Sequence, residues 1–343
     1  MAALFPASTS ITFLTGFLGS GKTTVLNVLL RDRRLKDTAV IVNEFGEVGL
    51  DHLLISQADE NVVLLDSGCI CCTIGNGLSE TLETLYRQRL QGKVPNFSRV
   101  VVETTGLADP FPMLRLALSD YFVSKHFVIN GVLTTVDSAN GLSQLVNHRE
   151  ARNQVAVASR ITVTKTDLCT PHEVEQLSDA IRGINANAVV TESGQSPAGD
   201  VMLSDEIYEF IINRPAAEEW LKEAVSSHAL SSADHGHAST MPGPFNHDER
   251  IESHAFYWDE PVAWDRYTGW LDQLRTLPAE DLMRVKGLVA LGEGQKPYVI
   301  QGVQHVFAAP LRLAAWPSED RRSRLVVIAR GVQRPALDRI FSS

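Results

Sequence analysis

Gly16-Phe17-Leu18-Gly19-Ser20-Gly21-Lys22-Thr23 matches G-x-x-x-x-G-K-[ST] at every fixed position. The apolar run Ile11 to Leu14 before it reads as a buried strand, and Thr24 to Leu30 after it reads as a helix. That is the context a phosphate-binding loop requires. The glycines let backbone N–H groups turn inward around phosphates, and the following helix adds its positive end. Lys22 is placed to reach the β- and γ-phosphates, and Thr23 to ligate Mg²⁺. Gly16, Gly19, Ser20, Gly21 and Thr24 complete the expected cradle. The alternative is a glycine-rich strand–helix turn that binds nothing.

Strands and helices alternate outward from this loop. Thr38 to Val42 and Val62 to Leu65 read as strands, and Leu78 to Leu90 has helical spacing. Arg99 to Val102, Phe127 to Val136 and Arg160 to Val163 are further strands. A helix starts at Pro171 with Thr170 as its N-cap. A short strand, Ala188 to Thr191, precedes the Ser193–Pro197 turn, and a helix near residue 212 closes the unit. The pattern predicts an α/β fold: a P-loop NTPase domain with a mainly parallel sheet and flanking helices. Ser226 to Asp248 is rich in Ser, His, Gly and Pro and loses apolar periodicity. Beyond it, strands are expected at Ser253–Tyr257, Leu282–Ala290, Tyr298–Gly302 and Arg324–Ile328. A helical face at Trp264, Trp270, Leu271 and Leu274 and a final helix to Phe341 go with them. The expected layout is a nucleotide-binding domain at 1–215, a linker at 216–250 and a smaller α+β domain at 251–343.

A chain of 343 residues is long enough for two cores. The formal charge of −10 opposes nucleic-acid binding, which calls for a basic face. No apolar run approaches the roughly 18 residues a membrane span needs, and Met1 to Ser10 lacks the basic start of a signal peptide. Four cysteines, three of them in one tetrapeptide, do not make a disulfide framework. A reducing cytoplasm is the expected location.

Two further elements read as nucleotide contacts. Val100-Val101-Val102-Glu103-Thr104-Thr105-Gly106 ends an apolar strand on a carboxylate, where a Walker B acid holds Mg²⁺ directly or through water. Gly106 is placed to offer a backbone N–H to the γ-phosphate. Thr164-Lys165-Thr166-Asp167 follows the Arg160 strand and corresponds to the guanine-selecting N-K-x-D run. Asp167 would accept hydrogen bonds from the guanine ring and exocyclic nitrogens, and the stem of Lys165 would cover the base. Thr164 replaces the Asn, which braces neighbouring loops more than it reads the base. GTP and GDP are therefore expected in preference to adenine nucleotides. A solvated loop Lys and Asp is the alternative.

Cys69-Ile70-Cys71-Cys72 supplies soft thiolates suited to Zn²⁺ or another borderline metal. In an extended segment Cys69 and Cys71 point the same way and Cys72 the other, so the first two are the firmer pair. The remaining ligands are open between Cys72, a water, Glu44 and Glu47. A redox switch, an iron–sulfur fragment and inert buried thiols are the alternatives. Asn43-Glu44-Phe45-Gly46-Glu47 lies where a switch loop belongs, with Glu44 placed to orient water or sense Mg²⁺. A solvated acidic loop is the other reading. His228, His235, His237 and His247, with His254 just beyond, offer imidazoles for loose metal capture, or are simply residues of a polar linker.

Five segments then resemble one family, the metal-homeostasis GTPases typified by CobW, more distantly related to the nickel-insertion GTPases UreG and HypB. They are Gly16–Thr24, Asn43–Gly46, Gly68–Cys72, Glu103–Pro110 and Thr164–Asp167, in the family's order across residues 11 to 168. Weaker similarity at Leu282–Gly287 and Gln301–Gln304 looks like the family's C-terminal domain. The resemblance implies a slow GTPase that binds Zn²⁺ or Co²⁺ and delivers it to a client metalloprotein. A GTP-dependent adaptor that activates a metalloenzyme, with a structural or redox cysteine loop, is the competing reading.

Overall fold

The computed structural model describes residues 9–32, 35, 37–42, 63–66, 77–193, 250–293, 296–313, 315–316 and 320–342. The expected helix near 212, the Ser226–Asp248 stretch and the segments carrying Glu44, Glu47, Cys69, Cys71 and Cys72 lie outside these residues. The described residues form two compact units.

The first unit opens with Thr9–Gly16 (β1), Lys22–Leu30 (α1), Thr38–Val42 (β2) and Val63–Asp66 (β3). Gly77–Leu90 (α2), Arg99–Glu103 (β4), Phe111–Ser119 (α3), Tyr121–His126 (α4) and Phe127–Asp137 (β5) come next. Gly141–Asn147 (α5), Arg149–Val157 (α6), Arg160–Thr164 (β6), Pro171–Ile184 (α7, grouped with this unit as far as Ser178) and Val189–Glu192 (β7) complete the series. The seven strands form one sheet in the order β3-β2-β4-β1-β5-β6-β7. Every pairing in it is parallel. Among the described connections, those from β4 onward carry helices, as the crossovers of a parallel sheet demand.

The local reasons are plain. β2 and β4 are runs of β-branched residues, buried because helices cover the sheet. Leu26, Leu29 and Leu30 of α1 pack with Leu14, Val40, Val101 and Leu133 of the sheet. Fully burying such a side chain contributes about 1.5–3 kcal/mol. At the start of α7, Thr170 Oγ1 accepts from Glu173 N at 3.4 Å while Glu173 Oε2 accepts from Thr170 N at 2.8 Å. This reciprocal capping box, with Pro171 as the first helical residue, sets where the helix begins.

The second unit is an antiparallel sheet of Ile251–Trp258 (β8), Leu282–Ala290 (β9), Pro297–Val303 (β10), Val306–Phe307 (β11) and Ser323–Arg330 (β13), with Leu311–Arg312 (β12) pairing β10. The order β11-β10-β9-β13-β8 inserts the last strand between the first two long ones. Trp264–Leu274 (α8) and Arg334–Ser342 (α9) supply Trp270, Leu274, Leu337 and Phe341 to a core with Val285 and Val327. Trp270 stacks on Trp258 at 4.6 Å and meets Phe341 edge-on at 5.2 Å.

The sequence reading places all of the long strands within one or two residues. It does not anticipate α3 to α6 or the two-residue strands β11 and β12. No helix among the described residues is long and apolar enough to cross a membrane.

Candidate functional site

Four strand ends meet at the carboxyl edge of the parallel sheet, where ligands bind in open α/β folds. Register brings them level: Leu14 pairs with Glu103, Gly16 with Thr135 and Asp137 with Thr164. Each strand thus releases its loop on the same side of the sheet.

The phosphate loop turns at Phe17–Ser20, closed by Ser20 N donating to Phe17 O at 3.1 Å. Gly16 permits a close approach: a Cβ there would lie 2.5 Å from Thr135 O and 2.6 Å from Ser20 Oγ. Gly19 and Gly21 are both left-handed, at φ 72 and 86. Gly21 caps α1 without a side-chain hydrogen bond, and the first turn holds no acidic residue. The helix N-terminus therefore keeps donors and positive potential for a phosphate. Lys22 Nζ donates to Gly16 O at 2.9 Å and Phe17 O at 3.3 Å, which holds the ammonium over the loop. Thr24 is exposed on the first helical turn. Ser20 is fully buried, and its hydroxyl bonds Thr135 Oγ1 at 2.7 Å inside the fold.

Thr23 Oγ1 donates to Glu103 Oε1 at 3.1 Å, although 80 residues separate them. A hydroxyl and a carboxylate oxygen side by side at the loop mouth form a donor set that fits a small hard cation such as Mg²⁺. Beyond Glu103 the backbone is pinned to the phosphate loop. Thr104 N donates to Leu14 O at 2.9 Å and Thr104 Oγ1 to Thr15 Oγ1 at 2.8 Å. Gly106 faces Leu18 so closely that a Cβ would come within 2.8 Å of its N and Cα. Asp109 caps α3 by accepting Phe111 N at 3.1 Å. Burial raises its carboxyl above the usual range, against the pull of Phe111 N–H, Arg149, Asn153 and Arg115.

The Thr164–Asp167 segment is equally joined. Thr164 Oγ1 donates to Ser20 O at 2.7 Å, so the residue in the place of the Asn braces the phosphate loop as expected. Lys165 is left-handed at φ 57, a conformation that costs about 1–2 kcal/mol for a residue with a Cβ. Three bonds hold it: Nζ to Asp137 Oδ2 at 2.8 Å, its carbonyl to Ser138 Oγ at 2.7 Å and to Leu168 N at 3.0 Å. Asp167 is exposed in the Thr166–Leu168 turn. For Asp137, burial alone would raise the pKa. Hydrogen bonds from Lys165, Asn140 and Ala139 N prevail and hold it below the usual carboxylate range.

Asp137 and Thr135 tie these segments together, and Gln154 donates to Gly106 O and Ala108 O; motif reading overlooks all three. Asp137 ends an apolar strand, as Glu103 does, and the same rule applied to β5 finds it. Thr135 and Gln154 carry no local signal. His254 lies in β8, within the strand expected at Ser253–Tyr257, and its buried ring bonds Val332 O through Nε2 at 3.1 Å; His228, His235, His237 and His247 lie outside the described residues. Cys169 is a free, half-buried thiol. Among the described residues no group of three or more His, Cys, Asp or Glu is arranged to hold a metal, and the three clustered cysteines lie outside them.

Fold and loops together define a class: a P-loop GTPase carrying a second, antiparallel domain. The chain belongs to the CobW family. The family model described as "CobW/HypB/UreG, nucleotide-binding domain" matches residues 10–192. The "Cobalamin synthesis protein cobW C-terminal domain" matches residues 251–343. Zinc chaperone YjiA of Escherichia coli is 32% identical over 328 residues, covering 95% of each chain. Zinc-regulated GTPase metalloprotein activator 1 of Schizosaccharomyces pombe is 27% identical, covering 94% of this chain and 83% of that one. The crystal structure of the Zn(II)-bound YjiA GTPase from E. coli shares the fold, with a TM-score of 0.64 at 24% identity over 98% of each chain.

Proposed function

We propose that this chain is a GTP-driven metallochaperone of the cytoplasm. It takes Zn²⁺, or Co²⁺ by the same thiolate chemistry, as cargo and passes it to a client metalloprotein. The observation that carries the reading is sequence order: Cys69-Ile70-Cys71-Cys72 falls between the expected switch segment and the Glu103 strand end of a P-loop GTPase. Asn43–Glu47 precedes the cluster and Glu103–Gly106 follows it. The names of the relatives, zinc chaperone and zinc-regulated GTPase metalloprotein activator, support it.

On this reading the phosphate loop and Lys22 bind the β- and γ-phosphates, and Asp167 and Lys165 select guanine. Thr23 and Glu103 hold Mg²⁺, which supplies charge neutralisation on the phosphates when bound. Glu44 orients the attacking water. Cys69 and Cys71 bind the cargo, with Cys72, Glu44 or Glu47 and water completing the shell. An incomplete protein shell suits an ion that must be released, because a closed four-thiolate cage would retain it. The layout that goes with this function is 1–215 as the GTPase domain, 216–250 as the linker and 251–343 as the C-terminal domain.

Zn²⁺ titrations in the presence of Mg²⁺ with a non-hydrolysable GTP analogue, and again with GDP, test the proposal. The analogue is expected to raise metal affinity by about 5–150-fold over GDP, the usual range of allosteric coupling. Cys69→Ser with Cys71→Ser is expected to abolish tight Zn²⁺ binding and to leave GTP binding intact. Equal metal affinity in the two nucleotide states refutes a GTP-gated chaperone.

A further inference from the structure

We propose that Gln154 of α6 is a positioning residue for γ-phosphate recognition, fixing the 106–108 loop against the phosphate loop. The proposal rests on the GTPase reading of the site. Gln154 Nε2 donates to two carbonyls of that loop, Gly106 O at 3.2 Å and Ala108 O at 3.1 Å. Gln154 is 1% exposed, and its bond to Gly106 O is buried while that to Ala108 O is partly so. A peptide N–H points opposite to its own C=O. Turning the Gly106 carbonyl toward Gln154 therefore turns the Leu107 N–H away from α6. Gly106 itself abuts Leu18 of the phosphate loop, which places this stretch of backbone beside the phosphates.

The clamp has a fixed base. The Gln154 carbonyl accepts Thr134 Oγ1 of β5 at 2.9 Å, and the next residue, Thr135, bonds the Ser20 hydroxyl of the phosphate loop. At the start of α6, the His148 ring lies 4.6 Å from the Phe17 ring. Asn153, the neighbour of Gln154, hydrogen-bonds Asp109, which caps the helix after the loop. The helix and its N-cap His148 thus touch both the phosphate loop and the 106–108 loop. A γ-phosphate that draws the 106–108 backbone toward itself acts against a stop set by Gln154. GDP, lacking that group, makes no demand on the stop.

The test compares nucleotides in the full-length chain. Gln154→Met keeps the length and bulk of the side chain and removes both donors. Titration with fluorescent GDP and with a fluorescent non-hydrolysable GTP analogue, both with Mg²⁺, is expected to leave GDP affinity within about twofold. Analogue affinity is expected to fall about tenfold, the loss set by one buried hydrogen bond, and kcat for GTP is expected to fall with it. Gln154→Asn keeps the amide one methylene short and gives an intermediate loss if Met at this site prevents folding. Equal weakening of GDP and analogue makes Gln154 general scaffold and overturns the proposal, as does no change in either nucleotide. A parent protein that fails to bind GTP at all refutes the GTPase reading, an outcome seen before any variant is made.

Discussion

Lys165 Nζ lies 2.8 Å from Asp137 Oδ2, which joins the last residue of β5 to the residue after β6. Asp137 is almost wholly buried, whereas the Lys165 side chain is 38% exposed. One end of the pair is therefore fixed by the core, and the other lines the surface where a base would lie. The remaining acceptor capacity of Asp137 goes to Ala139 N at 2.8 Å and Asn140 Nδ2 at 3.0 Å. The carboxylate is held on several sides and orients the lysine stem.

Asp137→Asn is accordingly expected to weaken GTP binding and to narrow the preference over ATP. The amide still accepts Ala139 N but no longer anchors the ammonium by charge. Hydrogen bonds to charged groups are worth about 1.5–3 kcal/mol, and partial exposure of Lys165 puts this one at the low end, about tenfold in affinity. Parallel GTP and ATP titrations read the outcome. Unchanged discrimination would remove Asp137 from base recognition.

Lys22→Ala is expected to lose GTP binding and turnover without unfolding the chain. The ammonium donates to main-chain oxygens of its own loop, Gly16 O and Phe17 O. Those carbonyls are at the loop mouth, where water replaces the lost donor. A circular-dichroism melt should match the parent, while hydrolysis falls to background. Turnover at the parent rate would refute the phosphate-loop assignment.

Thr164→Val separates bracing from base reading. The substitution keeps the shape and removes the donor to Ser20 O, a buried bond of 2.7 Å. Leaving that carbonyl unmet costs about 1–3 kcal/mol. Stability in urea should fall by that amount, and GTP and GDP should weaken alike because the whole loop shifts. A selective loss of guanine over adenine affinity would mean that Thr164 reads the base after all.

The sequence made the sheet legible because its strands are apolar, β-branched runs between glycine-rich loops, a pattern that burial on both faces requires. Glu103 and Thr23 were found through motifs, and their 3.1 Å contact follows from the pairing of β1 with β4. The helices between β4 and β6 were not legible. Tyr121–His126 and Gly141–Asn147 are six and seven residues long, too short for a periodic signal. Gln154 was hidden for a different reason. A polar residue in a helix normally reads as solvent-facing, and only the tertiary fold shows that its Nε2 donates to two loop carbonyls.

The second unit is expected to lose stability on mild acidification through His254. Burial is the leading cause that lowers its pKa from the ordinary value of 6.5, with Arg334 acting in the same direction. The Val332 carbonyl, Glu252 and Asp338 oppose that shift and do not overcome it. The unfolded chain therefore takes up a proton at a higher pH than the folded one does. Stability is fully present above pH 6.5 and falls as the pH drops from 6.5 toward the lowered folded value. In the second unit Arg322 holds Asp320 below the usual carboxylate range, so that carboxylate does not titrate between about pH 6.5 and 5. The described tryptophans, Trp258, Trp264, Trp270 and Trp316, all lie in the second unit and report its unfolding. Urea titrations followed by tryptophan fluorescence at pH 7.5, 6.5, 5.5 and 5.0 should show a falling midpoint. His254→Gln offers an amide donor for Val332 O without a titrating group and should flatten that dependence. A midpoint that holds steady from 7.5 to 5.0 in the parent protein, or falls equally in the Gln variant, would exclude His254 as the cause.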